Sequence, residues 1–189
     1  MEYSYEILTV ALISVVMVMS PGQDFAIITR NSIVYSRKAG AIGAFGIFSA
    51  IWLHVAYSLA GLAVLIDQTP ALYNVIKYAG ASYLLYLGVK GFITTGKFVK
   101  NKTDVKLNIT SLEAFKNGFL SNALNPKTTL FFLSIFTQVV DIETPISIQL
   151  IFGLIIAISH LIWFSLVAYF FSTDYFMNKI NANRSMIDK

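Results

Sequence analysis

The chain has no cysteine, only four prolines, and few charges: Asp, Glu, Lys and Arg together make up 13% of its 189 residues. Without cysteine there is no disulfide, no thiolate metal site and no thiol redox chemistry. Soluble domains carry about 25% charged residues, and here the charges cluster, leaving long stretches nearly free of them. The N-terminus lacks the basic region of a cleaved signal peptide. Glu2 and Glu6 stand there instead, and the first apolar run ends at Ser20-Pro21 rather than at a small-x-small site. There is no HExxH motif, and no two of Asp24, His54 and His160 stand at metal-ligand spacing on one helix, so no motif requires a metal or cofactor.

Apolar side chains are what the sequence has in excess. They make up 56% of the chain, with a mean hydropathy of +0.67. A polytopic membrane protein follows. Lipid leaves unpaired backbone groups without partners, and strand alternation is absent, so the expected class is all-α, a helical membrane bundle. A crossing needs roughly 20 mostly apolar residues. Five runs meet this, at about 7–28, 41–66, 71–95, 115–140 and 146–172. With no soluble-looking block, residues 1–189 read as one membrane domain.

Basic residues fall almost entirely on one side of these runs. Arg30, Arg37 and Lys38 follow the first; Lys97, Lys100, Lys102, Lys106 and Lys116 lie between the third and fourth; Lys179, Arg184 and Lys189 follow the fifth. The other side holds Lys77 beside Glu2, Glu6, Asp67, Asp141 and Glu143. By the positive-inside rule the N-terminus is outside and residue 189 cytoplasmic, in the plasma (bacterial inner) membrane. The pI of about 9.2 therefore reports orientation rather than nucleic-acid binding. The polar 96–114 segment reads as a cytoplasmic linker, with anionic lipid as the minor reading of its lysines.

Two of the runs are interrupted. Ser20-Pro21-Gly22-Gln23-Asp24 breaks the first, and Asn125-Pro126-Lys127 breaks the fourth. Pro21 is followed 33 residues later by His54 and Pro126 34 residues later by His160, each in a glycine-led run. The ordered matches suggest an internal repeat, with repeat one at about 1–95 and repeat two at about 115–189. Three crossings in the first half would place the second upside down, the inverted-repeat architecture of many secondary transporters. On this count a sixth crossing is expected after Met186-Ile187-Asp188-Lys189 and is missing.

The same residues carry a family resemblance. Ser20-Pro21-Gly22-Gln23-Asp24-Phe25 with Arg30-Asn31-Ser32 and Ser36-Arg37-Lys38-Ala39-Gly40 resembles the first signature of the lysine exporter (LysE/RhtB-type) family. Lys77-Tyr78-Ala79-Gly80-Ala81-Ser82-Tyr83 resembles its third-span motif. Phe115-Lys116-Asn117-Gly118-Phe119-Leu120 with Asn122-Ala123-Leu124-Asn125-Pro126-Lys127 resembles its fourth. Gln23 stands where the family more often has proline. The resemblance implies export of amino acids or related metabolites.

The breaks can also be read from their chemistry. Pro is favoured at the first helical position after a Ser or Asn cap. Ser20-Pro21 and Asn125-Pro126 are therefore each expected to start a half-helix, with Ser20 and Gln23 at capping-box spacing. A helix N-terminus suits an anion, such as a substrate carboxylate. An ionised group near the bilayer centre costs about 2.5–3.5 kcal/mol on insertion scales, so Asp24 and Lys127 are the candidate charged pair. A zwitterion would set its amine on Asp24 and its carboxylate on Lys127 and the helix amides. A proton on Asp24 would couple export to the proton gradient; the bland reading is a permanent Asp24–Lys127 pair that orders the bundle. Asn125, Asn122 and Asn31 are candidate lining residues, and His54 and His160 candidate proton relays. The tyrosines read as interface anchors or packing. The competing readings are a non-transporting membrane subunit and, less favoured, an intramembrane enzyme using Asp24, His54 and His160. Oligomerisation stays open, because the glycine-bearing faces suit packing within one chain or between two.

Overall fold

The computed structural model describes residues 3–68, 70–93, 108–141 and 143–173. The connector lysines 97–106 and the terminal Lys179, Arg184 and Lys189 lie outside them. The described residues form seven α-helices and no strand: α1 (Ser4–Met19), α2 (Gln23–Arg30), α3 (Arg37–Gln68), α4 (Pro70–Ile93), α5 (Ser111–Ala123), α6 (Pro126–Val139) and α7 (Ile146–Phe171). A π-helical turn, Asn31–Tyr35, extends α2. This is the helical membrane bundle the composition predicts.

Short polar caps set the helix boundaries. Ser36 Oγ accepts the Ala39 N–H at 3.1 Å, starting α3. Thr110 and Glu113 form a reciprocal capping box on α5, with Thr110 Oγ1 taking the Glu113 N–H and Glu113 Oε2 taking the Thr110 N–H. These contacts, the Thr110 N–H first among them, hold the exposed Glu113 carboxyl below the usual carboxylate range. Asn125 Oδ1 accepts the Lys127 N–H at 3.0 Å with Pro126 at the first position of α6, as its sequence predicts.

The first break differs from expectation. Ser20 ends α1 rather than capping α2: its N–H bonds back to Met17 O at 3.2 Å, and its backbone is extended (φ −66°, ψ 119°). Pro21 drives Ser20 out of the helical region, as Pro126 does Asn125; the difference is that the chain does not turn helical again at the proline. α2 starts only at Gln23, after an extended Gly22 with no side-chain cap, so the predicted Ser20–Gln23 capping box does not form. The axis bends by 59° across this break.

Arg37–Gly61 and Ile146–Phe171 are long and apolar enough to cross a membrane singly, and α1 with the α2 extension adds a third crossing if the bent pair is one span. The expected run 71–95 is α4, 24 residues long, which is not among the candidate crossings of the described residues. The run 115–140 is split into α5 and α6, each too short to cross alone. Outward residues of α7, Leu154, Ile158, Ile162 and Leu166, recur every fourth position and are about half exposed, the apolar outer face of a lipid-embedded helix.

Close packing comes from small residues. A Cβ on Gly118 would meet Gly43 O at 1.9 Å, and one on Gly46 would meet Phe115 O at 2.2 Å. α3 and α5 therefore cross backbone on backbone, a contact open only to glycine. Phe131, Phe132, Phe136, Phe152 and Ile51 form one interior cluster, and Ile28, Ile47 and Phe164 belong to a second. Arg37 Nε donates to Ser172 Oγ at 2.9 Å while its guanidinium lies 4.4 Å from the Tyr169 ring centroid, joining the start of α3 to the end of α7. Gln138 Nε2 donates to Lys77 O at 2.7 Å, joining α6 to α4.

Candidate functional site

The two breaks meet. Asp24, in the first turn of α2, is buried, and its carboxylate accepts three hydrogen bonds from the second break. Ser121 Oγ donates to Oδ1 at 2.8 Å, while Asn122 Nδ2 at 2.8 Å and Asn125 Nδ2 at 3.2 Å donate to Oδ2. Asn122 Nδ2 also reaches Thr128 Oγ1 at 3.3 Å. Asp24 thus stands at the N-terminus of its own helix, the end that favours negative charge, and is held by the last turn of α5 and by Asn125, the cap of α6.

Lys127 reaches the other way across the same gap. Its Nζ donates to Ser20 O at 2.8 Å and to Met17 O at 3.3 Å, both in the last turn of α1. That end of a helix has carbonyls without intrahelical partners and carries the negative pole. The break therefore separates opposite poles, with Lys127 on the α1 side and Asp24 on the α2 side. Between them lies a small cavity lined by Met17, Val18, Phe25, Phe164 and His160 as well as both charges. The space there holds about one water molecule, less than an amino acid needs.

The histidines take different places. His160 is in the cavity wall, with Nδ1 donating to Ile156 O at 2.8 Å. A carbonyl only accepts, so the proton is on Nδ1 and Nε2 is left as an acceptor. His54 is fully buried behind the wall, stacked on Phe132 with ring centroids 5.3 Å apart. Its Nε2 donates to Asn122 O at 3.0 Å, which leaves Nδ1 to accept from the Tyr57 hydroxyl. His54 so anchors the turn of α5 whose side chain holds Asp24.

A family model described as LysE type translocator matches residues 15–188, a stretch that contains both breaks. The chain belongs to the LysE translocator family. The uncharacterized membrane protein YrhP of Bacillus subtilis (strain 168) is 33% identical over 165 residues, covering 83% of this chain and 79% of its own length. The leucine efflux proteins of Salmonella typhimurium and Salmonella typhi are 35% identical over 134 residues, covering 70% of this chain and 62% of theirs. The match to these two thus takes in less than two thirds of their length. No solved structure matches the chain.

In this LysE translocator the other residues singled out by sequence are scattered. Gln23 is exposed at the start of α2 and Pro126 is exposed at the start of α6; neither lines the cavity, nor does Pro21. Ser20 contributes its carbonyl rather than its hydroxyl cap. Asn31 is fully buried in the π-helical turn, away from the cavity wall, with neither side-chain polar atom paired among the described residues. Sequence reading missed Ser121, Thr128 and Tyr83, whose hydroxyl donates to Lys127 O at 3.4 Å. Ser121-Asn122 with Asn125 at one-turn spacing was the available signal for the first of these.

Proposed function

We propose that this LysE translocator exports a neutral, apolar α-amino acid from the cytoplasm by antiport with protons. The observation that carries the reading is that Asp24 and Lys127, brought from the two breaks, line one cavity at opposite helix poles. A zwitterion needs one partner of each sign, and these two provide them. Of the rest of the wall, Met17, Val18, Phe25 and Phe164 are apolar and Ser20, Asn125 and Thr128 are neutral, so only His160 could add a charge beside Asp24 and Lys127. A desolvated charge without a partner costs several kcal/mol, roughly, so lysine or glutamate is disfavoured against leucine or methionine. The name of the Salmonella relatives points the same way.

In this reading Asp24 takes a proton from outside and gives it up inside as substrate is exchanged, with His160 in the cavity wall as relay. The protein lies in the plasma membrane with its N-terminus outside. The positive-inside bias supports that orientation, and the Arg37–Ser172 bond puts the end of α7 on the same side as the basic start of α3.

The test is efflux of labelled leucine from proteoliposomes holding the purified full chain, with an imposed proton gradient. Wild type is expected to release leucine faster than lysine and to acidify in step. Asp24→Asn should insert normally yet lose gradient-driven efflux. Unchanged efflux in that variant would overturn the coupling role, and an inert wild type would overturn the transport reading.

A further inference from the structure

The ammonium of Lys127 rests on main-chain oxygen. Ser20 O lies 2.8 Å and Met17 O 3.3 Å from Nζ, and Met17 O is shared with the Ser20 N–H. Lys127 stands in the first turn of α6, the pole of its own helix that disfavours a cation. The C-terminal end of α1 offsets that cost. The stem passes beside Gly22, where a Cβ would lie in ordinary contact with Lys127 Cδ and Nζ at 3.6 Å. The wall so contains an oxygen-lined cation site with a primary ammonium already seated in it, beside the buried carboxylate of Asp24.

An α-amino acid carries the same group, a primary ammonium with three donors. We propose that the Met17 and Ser20 carbonyls form the subsite for the substrate's α-ammonium, which Lys127 fills as a tethered stand-in while the protein is empty. This rests on reading the cavity as an amino-acid site. Substrate then loads by displacement. Its ammonium takes the two carbonyls and the flank of Asp24, and the released Nζ turns to the substrate carboxylate. Ser20 O so keeps an ammonium donor whether the site is empty or loaded, and the empty carrier keeps its own site shut.

The displacement has a chemical signature. Removing the lysine charge should vacate the subsite for amines that lack a carboxylate. Binding of 3-methylbutylamine, the leucine skeleton without its carboxylate, is measured by calorimetry on the purified full chain. Lys127→Met is expected to bind it at least roughly tenfold more tightly than wild type, the scale of one charge-assisted hydrogen bond. 4-Methylpentanoate, which lacks the amine, should gain nothing. No gain for the amine, or an equal gain for the acid, overturns the proposal. Should Lys127→Met not fold, the wild-type ¹⁵Nζ resonance of Lys127, assigned with Lys127→Arg, decides instead. Saturating leucine is expected to shift it, and an unmoved resonance overturns the proposal. A wild type that exports leucine alongside a variant without amine binding sinks the subsite alone. A wild type that neither binds nor exports leucine sinks the transport reading.

Discussion

Asn125 divides its side chain between two helices: Oδ1 caps α6 by accepting the Lys127 N–H at 3.0 Å, and Nδ2 donates to Asp24 Oδ2 at 3.2 Å. One amide thus starts the second half-helix and helps fix the carboxylate of the first.

Asn125→Asp separates the two roles. The carboxylate still caps α6, but it replaces a donor to Asp24 with a like charge. Folded yield in detergent is expected to hold while leucine efflux is lost. Asn125→Ala removes both functions and should also destabilise the protein by about 0.5–2 kcal/mol through the lost cap. Thermal melts and efflux measured on both variants check this; normal efflux by Asn125→Asp would contradict it.

Gly118 and Gly61 form a matched pair for the packing argument. A Cβ on Gly118 would sit 1.9 Å from the Gly43 carbonyl oxygen, backbone that cannot rotate away, whereas one on Gly61 meets nothing within 4 Å. Gly118→Ala is expected to part α3 from α5 and cost about 1–3 kcal/mol or more. Gly61→Ala should be neutral or stabilising, by up to about 1 kcal/mol from helix propensity. Equal melting shifts for the two would refute the crossing.

The capping box on α5 gives a pH dependence of known sign. Glu113 has its carboxyl pKa lowered in the folded chain, chiefly by the Thr110 N–H. Its contribution is therefore complete above the ordinary carboxylate pKa and is lost as pH falls through the lower folded value. Amide exchange at Leu112 and Glu113 should accelerate, beyond the intrinsic pH effect, only in that acid window. Thr110→Ala should raise exchange at higher pH and abolish the dependence.

The second break was legible in the sequence because its chemistry is local: Asn125, Pro126 and the Lys127 N–H lie within three residues. The first shares the same small-polar-then-proline form, yet Ser20 belongs to the helix before it. Ser20 and Asn125 are extended alike before their prolines; what separates the breaks is the extended Gly22 (φ −163°, ψ −166°), which delays α2 to Gln23 and which the small-polar-then-proline form does not specify. Asp24 was recognisable because a carboxylate in an apolar run is costly. Its partners Ser121 and Asn122 were harder to see, because small polar residues inside a helix serve equally for packing. The π-helical turn at Asn31–Tyr35 leaves no compositional trace at all.

The donors to Asp24 also set an order of assembly. They lie 97 to 101 residues further along the chain, so at about 5–20 residues per second the ribosome needs roughly 5–20 s to supply them. Through that interval the first half must reside in the bilayer with a carboxylate whose hydrogen-bonding partners have not been made. Biogenesis of this protein therefore includes an obligatory waiting state, in which water, lipid headgroups or an insertion factor must solvate Asp24 until the second break arrives.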